Sequence, residues 1–196
     1  MHNTPMICYP TGQASPGGQT GFTLLELMIT MAIAAILLTV AVPSFQTTIG
    51  NNRLATQTNT LVTDINIARS EAVKRGTGIL LCSSANPNAA TPTCTGAGNA
   101  WTGGWLVFVD ADGSNAFDAG DTLIKVGQAI GGTATILTAN TLNTFTYNGD
   151  GTSSIIADFS ICDDRGEPFG RQVQIRLTGR PRLIGGPLPA GSCTTP

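Results

Sequence analysis

Half of the chain's ten Lys and Arg residues crowd into one stretch near its end: Arg165, Arg171, Arg176, Arg180 and Arg182, set against the single acid Glu167. The planar guanidinium fork donates in pairs and suits the oxygens of a phosphate. Alternation of Val173, Ile175 and Leu177 with Gln172, Gln174 and Arg176 predicts a strand over 172–178 that turns Arg176 to its wet face. Gly179 lets the chain turn. Arg180 and Arg182, two apart in an extended segment, then point to one side, with Pro181 holding that segment at a sheet edge. Three guanidinium groups displayed together form a phosphate-binding patch on one reading. On the other they are charges that keep an edge strand soluble and unpaired.

Three other groupings carry chemistry on paper. Asp110, Asp112, Ser114, Asp118 and Asp121 imitate the spacing of a calcium loop, but glycine falls at the fourth place, Gly113, and Asp stands at the twelfth where Glu is needed. An acidic turn between two strands is the favoured reading. The five cysteines contain no CxxC pair, and the single histidine, His2, lies ahead of Phe22 with Cys8, away from the four cysteines beyond Gly76, so no metal site is expected. His2 lies in the segment ahead of Phe22 that is expected to be removed, which leaves the mature chain without histidine and excludes a Ser/His/Asp triad, a Cys/His pair and HExxH zinc chemistry. Neither GxxxxGK[ST] nor GxGxxG after a strand occurs. No catalytic residue, no cofactor and no enzymatic activity are expected.

The elements that must position these groups are of two kinds. Charged residues make up 11% of the 196, where about 25% is usual, while 24 Gly, 11 Pro and 28 Thr suggest a β-rich extracellular protein. With a net charge of −2 the whole chain does not coat nucleic acid, which leaves only a local patch to do so. Phe22 to Val42 is predominantly apolar with Glu26 its one charge and ends at Pro43, one bilayer's length of helix at about 1.5 Å per residue. It lacks the basic flank and the small-x-small cleavage site of a secretory signal. Glu26 in lipid costs on the order of 3 kcal/mol unless it has a partner or is hydrated at the headgroups, and no Lys or Arg lies within a turn of it. From Ser44 to Arg75, Leu54, Leu61, Ile65, Ala68 and Ala72 mark one face of a helix. Asp64, Arg69, Glu71, Lys74 and Arg75 fall largely off that face, and Gly76 is a stop. The weak formers Gly50, Asn51 and Asn52 predict a loosening or bend. Beyond Gly76, strands are expected over 78–82, 104–110, 122–129, 133–138, 144–148, 156–162 and 172–178, enough for a compact sandwich or rolled sheet.

Gly21 followed by Phe22, Thr23, Leu24, Leu25 and Glu26 resembles the processing site of type IV prepilins and type II secretion pseudopilins. The stretch WTGGWLVFVDADG, Trp101 to Gly113, with Asp118, Asp121, Leu123 and Ile124 after it, is similar to the GspH/FimT group of those proteins. The resemblance implies an α+β pilin fold: a long N-terminal transmembrane helix packed against an antiparallel β-sandwich or sheet head. It implies a leader at 1–21, a transmembrane and assembly helix at 22–43, the second half of the stem at 44–76, and a globular head at 77–196. The resemblance further implies that a prepilin peptidase cuts after Gly21 and methylates Phe22, and that Glu26 pairs with the terminal amine of a neighbouring pilin or pseudopilin subunit. It implies that the head lies outside a bacterial inner membrane that the chain crosses once, before entry into a pilus or pseudopilus. Loss of the leader removes Cys8. In an oxidising periplasm Cys82 is expected to join Cys94, and Cys162 to join Cys193, one of three connectivities. Gly179, Arg180, Pro181 and Arg182 also resemble the GRxR motif of FimT-type minor pilins that bind DNA in natural transformation. That implies double-stranded DNA as a partner in a type IV pilus, whereas a type II secretion role implies none.

Overall fold

The computed structural model describes residues 21–95 and 100–194. The chain divides into two compact units, one ending at Ser44 and the other beginning at Phe45. Helix α1 covers Leu24–Arg75. It opens on a cap, because Thr23 Oγ1 accepts the Glu26 amide hydrogen at 3.2 Å and the Thr23 carbonyl accepts that of Leu27 at 3.1 Å. Every residue from 21 to 40 is exposed, so this apolar stretch finds no cover among the described residues. Lipid or other subunits must supply it.

In the second unit α1 buries Leu54, Thr58, Leu61, Asp64, Ile65, Ala68 and Ala72, which recur every three or four residues. It ends where Gly76 takes a left-handed conformation, φ 64°, and its N–H bonds the Ala72 carbonyl at 2.9 Å. The loosening expected at Gly50 to Asn52 does not interrupt the helix, since α1 runs through these residues. Arg165 supplies a physical reason. Its Nη1 donates to Asn51 Oδ1 at 3.0 Å and to the Thr47 carbonyl at 3.3 Å. Gly50 leaves the room for this, as a Cβ there would lie 2.7 Å from Arg165 Cζ. The guanidinium is aimed by Asp163, Nη2 to Oδ2 at 2.7 Å, and by the Phe169 ring 4.5 Å below it.

Eight strands follow: β1 Ile79–Ser83, β2 Trp105–Val109, β3 Thr122–Gly127, β4 Thr135–Thr138, β5 Thr144–Tyr147, β6 Ala157–Cys162, β7 Arg171–Ile175 and β8 Pro181–Gly185. They form two antiparallel sheets, β3-β2-β1-β5 and β4-β6-β7-β8. Seven match the expected strands to within a few residues at each end. The strand expected to reach Thr178 stops at Ile175, because the chain turns there: Gly179 N–H bonds the Arg176 carbonyl at 2.8 Å, and Leu177 lies out in solvent, 55% exposed. The extended segment at Pro181 is β8 itself, at the edge of its sheet.

One core joins α1 to both sheets: Leu54, Leu61 and Ile65 meet Trp105 and Val107 from the first sheet and Phe159, Val173 and Ile175 from the second. A second, smaller cluster of Leu80, Cys82, Leu106 and Phe108 lies on the far face of the first sheet, with Cys94 and Phe117 against it. That is why β1 and most of β2 are buried on both faces. The structure bonds Cys82 to Cys94 and Cys162 to Cys193. The first bridge ties the segment after β1 over the small cluster, and the second ties the C-terminal tail to the end of β6.

Asp64, expected off the apolar face, is buried in it. The Trp105 indole N–H donates to its Oδ2 at 3.1 Å, and Lys125 Nζ lies 3.9 Å from Oδ1. Burial pushes the Asp64 carboxyl above its usual range, while Lys125 and the indole bond pull it partly back. A carboxyl raised in the folded state binds its proton more tightly folded than unfolded, so stability falls as pH rises from the unfolded value, about 4, through the folded one. Asp64→Asn cannot show that loss. Melting curves collected from pH 3 upward should therefore shift in favour of the variant as pH rises through this window, and parallel curves for the two proteins would refute the assignment.

Candidate functional site

The five clustered arginines part company in the fold. Arg165 is committed to the stem and to Asp163. Arg171 is half-buried on β7, opposite Gly185 of β8. Arg176 donates through Nη2 to Gln174 Oε1 at 3.0 Å, and its Nη1 lies 3.9 Å from Asp158 Oδ1, so part of its charge is answered by its own sheet. Arg180 and Arg182 are exposed, and their side chains make no hydrogen bond or ion pair among the described residues. Arg182 stands opposite Gln174, and Gln174 opposite Asp158, which puts all three on one face of the sheet. The expected display of three arginines is thus two uncommitted guanidinium groups beside a third that leans on an acid.

The backbone that carries them is fixed from beneath. Gly179 adopts φ 75°, a region glycine enters freely. The buried Tyr147 hydroxyl donates to its carbonyl at 3.0 Å. Arg69 of α1 donates through Nε to the Gly151 carbonyl at 2.9 Å and through Nη2 to that of Thr178 at 3.3 Å. Neither Tyr147 nor Arg69 was marked by the sequence reading, because one looks like a core aromatic and the other like a surface charge off the apolar stripe. Thr23 is a third residue that reading left unused, although Thr-x-x-Glu has the spacing of a capping box.

At the other end Gly21 and Phe22 are exposed, and residues 1–20 of the expected leader at 1–21, with His2 and Cys8, lie outside the described residues. Glu26 is in the first turn of α1, and no cation pairs with it among the described residues. A carboxylate gains about 0.3–1 kcal/mol beside a helix N-terminus. That is well short of the cost of about 3 kcal/mol in hydrocarbon.

In the loop between β2 and β3, carboxylate oxygens of Asp110, Asp112 and Asp121 lie within 4.8 Å of one another. Backbone N–H groups occupy them: Gly113 and Ser114 on Asp110 Oδ1 at 2.9 and 3.1 Å, Asn115 on Asp110 Oδ2 at 3.0 Å, and Ala111 on Asp121 Oδ1 at 2.9 Å. Such bonds account for three clustered acids as loop-forming residues. The hydrogen bonds of Ser114 hold the Asp112 carboxyl below its usual range.

A long N-terminal apolar helix, whose second half packs on antiparallel sheets, defines a pilin-type fold. Crystal structures of the type IV minor pilin FimU from Pseudomonas aeruginosa (strain PAO1) share it. One is 22% identical over 74% of this chain and 93% of its own, with a TM-score of 0.52. A second crystal form gives 23% over 73% and 97%, with a TM-score of 0.50. No curated protein matches the chain. The chain belongs to the GspH family, described as type II transport protein GspH, whose family model matches residues 57–179. A prokaryotic N-terminal methylation motif matches residues 17–42. Membership makes this a minor pilin or pseudopilin, a class of structural subunits that assemble with other pilins, and the motif with its apolar helix marks a membrane anchor.

Proposed function

We propose that the chain is a minor pilin of a type IV pilus that helps prime assembly and captures double-stranded DNA on its head. In this reading a prepilin peptidase removes residues 1–21 and methylates Phe22. Residues 22–43 hold the chain in the inner membrane, residues 44–76 complete the stem, and the head at 77–196 faces the periplasm until the subunit enters the filament. Glu26 finds its cation in the terminal amine of a neighbouring subunit.

One observation carries the DNA reading: Gly179-Arg180-Pro181-Arg182 stands on an exposed sheet edge with two guanidinium groups that nothing among the described residues neutralises. With about three phosphates contacted, counting Arg176, binding is blind to sequence and weakens with salt at a log–log slope of about −2 to −3. Titrating the full chain in detergent with duplex DNA at several salt concentrations tests this. Replacing Arg180 and Arg182 together by Gln should remove about two units of that slope, and unchanged affinity would retire the site.

The family model's description favours a second reading, a type II secretion pseudopilin with no DNA role. Deleting the gene separates them. Lost transformation and pili would support the first reading, while lost protein secretion with pili intact would support the second.

A further inference from the structure

The arginine display is not a decorated loop but a backbone segment clamped at both sides of Arg180. On the far side, Pro181 pairs with Ile175 and Arg182 with Gln174 in the ladder between β7 and β8. On the near side Gly179 is buried and held at three points. Its carbonyl accepts from Tyr147 Oη at 3.0 Å, its N–H bonds Arg176, and its Cα faces the Gly151 carbonyl so closely that a Cβ would collide with it. Arg69 then ties that Gly151 carbonyl to the Thr178 carbonyl with one guanidinium, fastening two loops to the stem.

We propose that Tyr147 and Arg69 are positioning residues for phosphate binding by Arg180 and Arg182. Neither reaches the ligand. They hold the peptide before Arg180 in one conformation, so the guanidinium pair meets a duplex backbone without first ordering the chain that bears it. This rests on the DNA reading above.

The chemistry of each residue fits the role. The Tyr147 ring packs edge-on against Phe145, with centroids 5.6 Å apart, and a phenylalanine would do that equally well. The hydroxyl is the part a core does not need, and the Gly179 carbonyl is its partner. Burial holds that phenol well above its ordinary pKa, so it remains a donor. Arg69 needs its fork, since Nε and Nη2 serve two carbonyls at once.

Tyr147→Phe keeps every charge and nearly all the packing, and Arg69→Lys keeps the charge but loses the fork. The full chain in detergent, with a fluorescent duplex of mixed sequence as probe, is titrated for both variants beside the parent and Arg180→Gln. Amide exchange is followed over residues 176–183. Each positioning variant should bind about three- to tenfold more weakly, the loss of one net hydrogen bond. The parent's salt slope should persist and exchange near Arg180 should quicken, with little change in melting temperature. Arg180→Gln should instead lower the slope by about one. Parental affinity and exchange in Tyr147→Phe would overturn the assignment, as would an affinity loss that only tracks a fall in melting temperature. Absence of binding by the parent itself would overturn the DNA reading, and the phosphate role of these residues with it.

Discussion

Glu26→Leu is expected to enter the membrane at least as readily as the parent and to fail to join filaments. The carboxylate lies in the first turn of α1, in a stretch where every residue is exposed and where no cation pairs with it among the described residues. Its helix N-terminus returns about 0.3–1 kcal/mol of the roughly 3 kcal/mol that an ionised group forfeits in hydrocarbon. In the reading proposed above, the difference of about 2 kcal/mol goes to an arrangement that brings in a cation from another chain. Removing the acid therefore eases insertion and removes the electrostatic reason to associate, a loss of roughly 30-fold or more per contact. Fractionating membranes and sheared filaments from cells carrying the variant measures both halves at once. Equal recovery of variant and parent in the filament fraction would refute the role.

Gly127→Ala carries the second large effect. Gly127 is the cross-strand partner of Trp105, and the indole lies so close over it that an added methyl would collide with the ring. Trp105 cannot retreat, because it is wholly buried and its N–H is engaged with Asp64 of the stem. Overpacking of this kind costs about 1–3 kcal/mol, and displacing the indole outright costs about 3–5. Around 3 kcal/mol lowers the melting temperature of a unit this size by about 6–12 °C. Gly120→Ala is the matched control, since a Cβ there meets nothing within 4 Å. Trp fluorescence should also redden in the Gly127 variant as the indole shifts toward water. Matching melting temperatures for the two variants would show that the indole does not rest on Gly127.

How far the residues themselves announce this fold varies from place to place. The stem face was legible because Leu54, Leu61, Ile65, Ala68 and Ala72 repeat with the pitch of a helix, and the strand of Val173 and Ile175 was legible by alternation. Asp64 was not, since its burial depends on an indole 41 residues away. The weak helix formers at Gly50 to Asn52 read as a place to loosen, yet the helix runs through them unbroken, and Arg165 comes from 114 residues further on to hold Asn51. At the arginine patch the types and spacing of Arg180 and Arg182 could be read directly. Their supports could not, because the bonds of Tyr147 and Arg69 join segments 32 and 109 residues apart and follow no local pattern.

The bond between Cys162 and Cys193 spans 31 residues, and every arginine from Arg165 to Arg182 falls inside the covalent ring it closes. In the reading proposed above the head meets proteases outside the membrane, and exposed arginine is what trypsin-like enzymes seek. A single cut after Arg182 would add one water to the mass yet release no fragment, with β7 and β8 still tethered at both new ends. A reductant added after that cut would free only the tail from Leu183 onward, and it would take a second cut, before the arginines, to set the cationic surface adrift.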